Sequence, residues 1–243
     1  MAYFEADVGN CPVSIGIGNM VREKAGAYLV PHFHDAVVIG GVAGAVANNG
    51  GRLAIQEFVE FMDKNGPLEF GTVWPIRSYG GNADWHMNAI TVWSGKDKAF
   101  DTIREATYRV MKACDENGID RLILPALGTG AMRELTDEQS AKAMLAGIYQ
   151  YASEGGKPVA AAFVFLDNED AQPLLDAFKT SLQTKSYETS GTEKAAGEMD
   201  FGRWAARQEI DAIDNERAAH DEESRAKQSP PTMKPLRFKK QQP

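Results

Sequence analysis

Two glycine-rich segments combine residue types that suit the binding of a phosphate group. Gly40-Gly41-Val42-Ala43-Gly44 precedes a helical segment, and Gly128-Thr129-Gly130 lies between a predicted strand and a predicted helix. Glycine lets backbone N–H groups approach a ligand closely, and the start of a helix adds unpaired donors. Two such turns facing each other would suit a diphosphate, although either one alone can serve simply as a chain reversal. Neither segment is a P-loop or a GxGxxG motif, because the required Gly-Lys-Ser/Thr or third glycine is missing.

A second group of residues with useful chemistry lies in Pro31-His32-Phe33-His34-Asp35, which we interpret as a loop. His32 and His34 titrate near neutral pH and could act as acid or base, with Asp35 orienting one of them. The alternative is a solvent-facing loop with incidental histidines. A metal site needs three or four ligands of defined geometry, which the HxHD pattern does not supply, so we expect no metal ion.

These residues need a scaffold, and apolar runs that alternate with helical segments predict a three-layer α/β/α domain. Arg121–Ala126 and Val159–Leu166 are predicted strands, and the second is fully apolar, as a buried parallel strand requires. A helix is predicted from Asp137 to Ala152, capped by Thr136 with Gln139 three positions later. Ligands of such domains bind at the carboxyl ends of the strands.

Several further residues are assigned structural roles. A helix over Val42–Met62, broken at Asn49-Gly50-Gly51, is predicted to bury Leu53 and Phe58. His86 is interpreted as structural rather than functional. The tryptophans of this region are interpreted as core or rim residues, with stacking on a base as the alternative: Trp74, Trp85 and Trp93.

The overall composition excludes several classes of protein. Hydrophobic residues make up 43% of the 243-residue chain and charged residues 25%, which are ordinary globular values. No apolar run is long enough to span a membrane, and the acidic N-terminus does not resemble a signal peptide. The net charge of −8 argues against a nucleic-acid partner on electrostatic grounds. Cys11 and Cys114, the only cysteines, do not form a disulfide scaffold and fit a cytoplasmic location.

The composition changes near the C-terminus, where we place a domain boundary between residues 1–186 and 187–243. The second segment carries ten basic and eleven acidic side chains with very few aliphatic ones. Such a segment buries too little apolar surface to offset its ordering entropy, so a partly helical or disordered tail is expected. Its basic end (Arg237, Lys239, Lys240) gives only weak support for docking or for contact with nucleic acid.

The strongest pattern is Leu122–Met132, LILPALGTGAM. It resembles the hydrophobic strand, Pro-Ala-(Ile/Leu)-Gly-Thr-Gly turn and helix of the macrodomains, an ADP-ribose-binding family. The resemblance extends over about residues 18–182, from Gly18-Asn19-Met20 to a last apolar strand that ends before Asp167. It implies an α/β/α fold with a mixed, largely parallel central sheet. It also implies ADP-ribose or an ADP-ribosylated molecule as the partner, and no cofactor.

The resemblance further implies a set of ligand-binding residues, which fall into three groups. The adenine would lie near Asn19, Met20, Leu166 and Asp167. The pocket floor and the loop beside the distal ribose would include Pro125, Ala126 and Phe33. The diphosphate and distal ribose would lie between the two glycine turns: Gly40, Gly41, Val42, Ala43 and Gly44 on one side, and Leu127, Gly128, Thr129, Gly130, Ala131 and Met132 on the other.

Three positions depart from the family pattern. Asn19 stands where relatives have an adenine-binding Asp, and Phe33 stands where they have a ribose-binding Asn. Ala43 occupies the position of an acidic residue found in some hydrolytic relatives. The contacts to the diphosphate are therefore expected to be retained, whereas the usual chemistry at the distal ribose is not.

Three functions remain open on this basis. The first is a hydrolase of ADP-ribose derivatives, such as ADP-ribose-1″-phosphate or an ADP-ribosylated protein, with His32, His34 and Asp35 as its catalytic residues. The second is a reader or sequestering module that binds ADP-ribose or another NAD-derived nucleotide without turnover. The third is an interaction protein in which nucleotide binding has been lost.

Overall fold

The computed structural model describes residues 4–35, 40–130 and 132–189. Ala131 and the predicted tail beyond residue 189 lie outside the described residues. The strands are β1 (Phe4–Val8), β2 (Cys11–Ile17), β3 (Ala25–Phe33), β4 (Val73–Arg77), β5 (Ala83–Val92), β6 (Arg121–Leu124) and β7 (Ala160–Phe165). The helices are α1 (Gly41–Val46), α2 (Arg52–Asn65), α3 (Lys96–Glu116), α4 (Asp137–Ser153) and α5 (Ala171–Thr184).

The strands form one mixed sheet in the order β1-β2-β7-β6-β3-β5-β4. The five central strands run parallel to one another, and the outer strands β1 and β4 pair antiparallel with their neighbours. The central strands therefore all end on one side of the sheet, at Ile17, Phe165, Leu124, Phe33 and Val92. We call this side the carboxyl edge. The prediction of a mixed, largely parallel sheet is confirmed.

Alternating side chains of the central strands build two separate cores. Leu29, Leu122 and Phe163 pack in a large core with α3, α4 and α5. Val30 and Ile123, which follow them in their strands, pack on the opposite face with α1. This period of two is what a sheet covered by helices on both faces requires. The three-layer architecture is thus also confirmed.

Strand β3 is longer than the sequence suggests. Pro31, His32 and Phe33 belong to the strand, so their prediction as part of a loop is wrong. Proline normally disfavours central strands because it cannot donate a hydrogen bond. Here β6 pairs only with the beginning of β3, at Ala27 and Tyr28, so Pro31 has a strand neighbour on the β5 side alone. The proline is tolerated because no ladder runs along its other side.

The predicted helical break is confirmed, but one expected core residue is not buried. Asn49 and Gly50 have non-helical backbone angles between α1 and α2, with a φ of +96° at Gly50. A Cβ atom at Gly50 would lie only 2.5 Å from the backbone nitrogen of Gly81, so this close approach requires glycine. Leu53 is exposed, whereas Phe58 is fully buried. The prediction of Leu53 as a core residue is therefore wrong, because Leu53 lies on the exposed face of α2, whose opposite face buries Ala54 and Ile55.

The packed body continues one residue beyond the boundary expected from composition. Tyr187 is buried, and its ring centroid lies 5.8 Å from that of Tyr149. Both cysteines are buried free thiols. Within the described ranges, no helix is both long enough and apolar enough to cross a membrane.

Candidate functional site

The second glycine turn is held rigidly after β6. The backbone N–H of Leu135 donates to the carbonyl oxygen of Gly128 at 3.1 Å, and that of Arg133 donates to Gly130 at 3.0 Å. Gly128 has a φ of +78°, and a Cβ atom there would lie 2.8 Å from the Ile103 side chain. Gly130, in contrast, is exposed, with open space where a Cβ atom would stand. The turn is therefore fixed in shape and accessible at Gly130.

The first glycine turn leads directly into α1. The N–H of Gly44 donates to the carbonyl oxygen of Gly40 at 3.2 Å, which starts the helix. Gly41 has a φ of +52°, while Ala43 and Gly44 are buried and Val42 is half-buried. The turn is therefore exposed at Gly41 and packs against the body only from Ala43 onward.

The two glycine turns come after two strands that are neighbours in the sheet. β3 and β6 are hydrogen-bonded neighbours, with Tyr28 opposite Ile123, and each strand ends at the carboxyl edge before its turn. Pro125 and Leu127, which follow β6, are buried, while Ala126 is half-buried. Thr129 and Met132 are also buried. The strands that precede the two turns thus end side by side at the carboxyl edge.

The residues expected near adenine lie at the far end of the same edge. The N–H of Gly18 donates to the carbonyl oxygen of Phe165 at 2.8 Å, which joins the ends of β2 and β7. The side-chain oxygen of Asn19 accepts a hydrogen bond of 3.2 Å from the N–H of Val21, so it caps the short 3-10 turn that begins at the buried Met20. Leu166 and Asp167 follow β7 and are both exposed.

At the other end of the edge, Phe33 and Trp93 form an aromatic pair. Their ring centroids lie 6.4 Å apart in an edge-to-face arrangement, with an angle of 64° between the planes. An irregularity in the pairing of β3 with β5 falls between His32 and Phe33, so that Phe33 lies opposite Val92. Trp93 has a φ of +65°, and 46% of its surface is exposed. The sequence drew attention to Phe33 but did not connect it with Trp93.

Glu134 fixes the turn that carries Trp93, and sequence reasoning missed this residue. Its two carboxylate oxygens accept hydrogen bonds from the backbone N–H groups of Trp93 at 2.7 Å and Gly95 at 3.1 Å. Only 5% of Glu134 is exposed. Burial raises the pKa of the Glu134 carboxyl, and the N–H donors oppose that rise. Glu134 thereby ties the second glycine turn to the end of β5.

The three predicted catalytic residues lie in two different environments. His32 is buried, and its Nε2 lies 2.9 Å from the side-chain oxygen of Asn88, with the ring packed on Phe58. Burial lowers the pKa of His32 to about 4, against a weaker upward effect of Asn88. His34 packs on Phe70 and lies 3.8 Å from the Asp35 carboxylate, and both side chains are exposed. The structure therefore separates His32 from the other two.

His86 has a structural environment, as the sequence suggested. It is buried in β5 with its ring stacked on Tyr28, and burial lowers its pKa to about 4. Within residues 4–35, 40–130 and 132–189, no three His, Cys, Asp or Glu side chains come together as metal ligands.

Comparison with known proteins agrees with the fold. The family model described as Macro domain matches residues 35–144. An uncharacterised protein of Pyrobaculum aerophilum is 27% identical over 73% of this chain and 97% of its own length.

Solved structures show the same architecture. The macrodomain of Oceanobacillus iheyensis with ADP has a TM-score of 0.64 at 16% identity, covering 76% of this chain and 98% of that one. The Trypanosoma brucei macrodomain in complex with ADP-ribose has a TM-score of 0.58 at 15% identity, covering 69% and 68%. The match to residues 35–144 and the shared architecture show that the described part of this protein has the macrodomain fold.

Proposed function

We propose that this protein binds ADP-ribose, or a related nucleoside diphosphate, across the carboxyl edge and does not hydrolyse it. The observation that carries the proposal is that β3 and β6, the strands that precede the two glycine turns in the sequence, are neighbours in the sheet. The fixed turn around Gly128 and Gly130 would present backbone to the diphosphate. Solved macrodomains with ADP and with ADP-ribose support this choice of ligand.

The order of the strands supports the proposed direction of the ligand. The ends of β2 and β7, with Asn19 and Leu166, lie on one side of β6, and the ends of β3 and β5 lie on the other. Adenine would lie beside Asn19 and Leu166, the diphosphate between the glycine turns, and the distal group near Phe33. Asn19 has one side-chain oxygen, already bonded to Val21, so it offers adenine a weaker acceptor than a carboxylate.

The residues expected near the distal ribose of the ligand favour binding without turnover. Phe33 can neither donate nor accept a hydrogen bond to a ribose hydroxyl. His32 is sealed in the core with a depressed pKa, which leaves His34 and Asp35 as the candidates that could assist a water molecule. An ADP-ribosylated protein would thus be recognised and held, as by a reader module.

The substitution Gly130→Glu tests the site most cleanly. It places a negative charge in the turn without a clash, because open space surrounds the position of a Cβ atom at Gly130. Gly41→Glu is a less clean test, since the φ of +52° at Gly41 strains any larger residue. In calorimetry, Gly130→Glu should abolish ADP-ribose binding, whereas Gly130→Ala should retain it. Unchanged affinity in a folded Gly130→Glu protein would contradict the site.

Turnover assays separate the proposal from its alternatives. We expect no release of product from ADP-ribose-1″-phosphate or from a mono-ADP-ribosylated protein. Turnover that falls in His34→Ala or Asp35→Ala would establish the hydrolase instead. Failure of the wild-type protein to bind either ADP or ADP-ribose would favour an interaction protein that has lost nucleotide binding.

A further inference from the structure

At the carboxyl edge, the surface proposed to face the distal end of the ligand is aromatic. It offers a sugar few hydrogen-bonding groups. Phe33 and Trp93 meet edge to face at the ends of the neighbouring strands β3 and β5. Almost half of the Trp93 surface is exposed, although a tryptophan is usually highly buried. An exposed indole beside a second ring provides an aromatic surface on which a planar ring can stack.

This aromatic pair is held in place. The buried Glu134 carboxylate accepts hydrogen bonds from the backbone N–H groups of Trp93 and Gly95, and Phe33 is the last residue of β3. Glu134 is also only four residues beyond Gly130, so the aromatic pair and the second glycine turn share one anchor. A ring fixed before the ligand arrives loses less entropy on stacking than a mobile one.

We infer that Phe33 and Trp93 form a subsite for a planar ring attached to the distal sugar of a nucleoside diphosphate. The ligand class is therefore a dinucleotide, in which adenosine diphosphate is joined to a sugar that carries a second ring. A nicotinamide ring and a second purine base share this chemistry. The inference rests on the proposed function, since the diphosphate must lie between the glycine turns for the second ring to reach Trp93.

Calorimetry with four ligands tests the inference: ADP, ADP-ribose, NAD and diadenosine diphosphate. The wild-type protein should bind at least one dinucleotide about fivefold or more tighter than ADP-ribose, as expected for one stacked ring. Tighter binding of NAD alone identifies nicotinamide as the favoured ring. Equally tight binding of NAD and diadenosine diphosphate shows that the subsite stacks either ring without selecting between them. Trp93→Ala should remove the preference for dinucleotides. The affinity for ADP should stay within about twofold, or less than about 0.5 kcal/mol, because ADP has no second ring to stack on Trp93.

Trp74→Ala is the matched control. Trp74 is similarly exposed, at 41%, but stacks on Phe61 and lies in β4 at the outer side of the sheet. Its removal should leave all four affinities unchanged. Dinucleotides that bind no tighter than ADP-ribose, in a protein that binds ADP, would overturn this inference and leave the proposed function intact. A protein that binds none of the four ligands would overturn both.

Discussion

The carboxylate of Glu134 accepts a 2.7 Å hydrogen bond from the backbone N–H of Trp93. This bond joins two loops that are 41 residues apart in the sequence, one following β6 and one following β5. The same carboxylate bonds to Gly95, the residue that precedes α3. Glu134 thus serves as an internal anion that satisfies the backbone donors of this turn, and it holds Trp93 with its positive φ.

Replacing Glu134 should therefore be costly. Glu134→Ala leaves the N–H groups of Trp93 and Gly95 without their buried acceptor, and each unsatisfied group costs about 1–3 kcal/mol. We expect urea unfolding to show a loss of about 2 kcal/mol or more. Glu116→Ala, at an exposed position in α3, is the control and should change stability little. A Glu134→Ala protein as stable as the control would show that water replaces the carboxylate without cost.

Stability should fall at mildly acidic pH because of His32 and His86. Both pKa values drop from 6.5 to about 4 on folding, chiefly through burial. Between these values the unfolded chain binds protons that the folded protein does not, so the free energy of unfolding decreases as the pH falls. The free energy of unfolding changes by at most about 1.4 kcal/mol per pH unit for each histidine.

Urea unfolding at pH 7.5 and pH 5.5 measures this effect. His32→Gln should reduce the loss of stability between the two pH values, since it removes one of the two groups. Leu53→Gln, at an exposed position in α2, removes no titratable group and should leave that loss unchanged. An equal loss in all three proteins would mean that other groups cause it.

Phe33→Asn should strengthen recognition of the distal ribose. In the wild-type protein we expect ADP to bind within about tenfold of ADP-ribose, since Phe33 offers the sugar no hydrogen bond. An Asn at this strand end supplies one, which is worth about 0.5–1.5 kcal/mol, and should raise the affinity for ADP-ribose but not for ADP. Phe33→Leu is the control without a polar group. ADP binding far more weakly than ADP-ribose in the wild type would show that Phe33 does not line this subsite.

The body of the protein should keep its thermal stability without residues 190–243 but lose part of it without Tyr187. A chain ending after Thr189 should melt within about 2 °C of the full chain, whereas a chain ending after Ser186 loses the buried Tyr187 ring. Burying such a side chain contributes about 1.5–3 kcal/mol, which corresponds to a melting temperature at least about 4 °C lower. Thermal unfolding of the two shortened chains, with Tyr187→Ala in the full chain, checks this. Equal melting temperatures would show that Tyr187 contributes nothing.

Local patterns predicted much of the fold and the glycine turns. The predicted capping box of α4 is present, since Thr136 accepts from the N–H of Gln139 and the Gln139 side chain accepts from Thr136. Such signals are reliable because they satisfy backbone groups within a few residues. The break at Gly50 was equally visible, because its left-handed backbone favours glycine.

The rest depended on contacts between distant parts of the chain. Glu134 carries no local signal for its bonds to Trp93 and Gly95, which only the docking of two loops creates. Pro31 suggested a loop, because the sequence does not reveal that β6 stops short of this part of β3. The sequence therefore predicts His32 as a loop residue that could act as acid or base, whereas the extended strand buries it against Phe58.

Amide NMR during a titration with ADP tests the central claim most directly. If the diphosphate lies between the two glycine turns, the amide signals of Gly44 and Gly130 should move with a single binding curve. Gly118 and Gly155 precede β6 and β7 at the opposite end of the strands, so their signals should stay in place. Shifts confined to Gly118 and Gly155, or saturation by ADP with both glycine turns unmoved, would contradict the account.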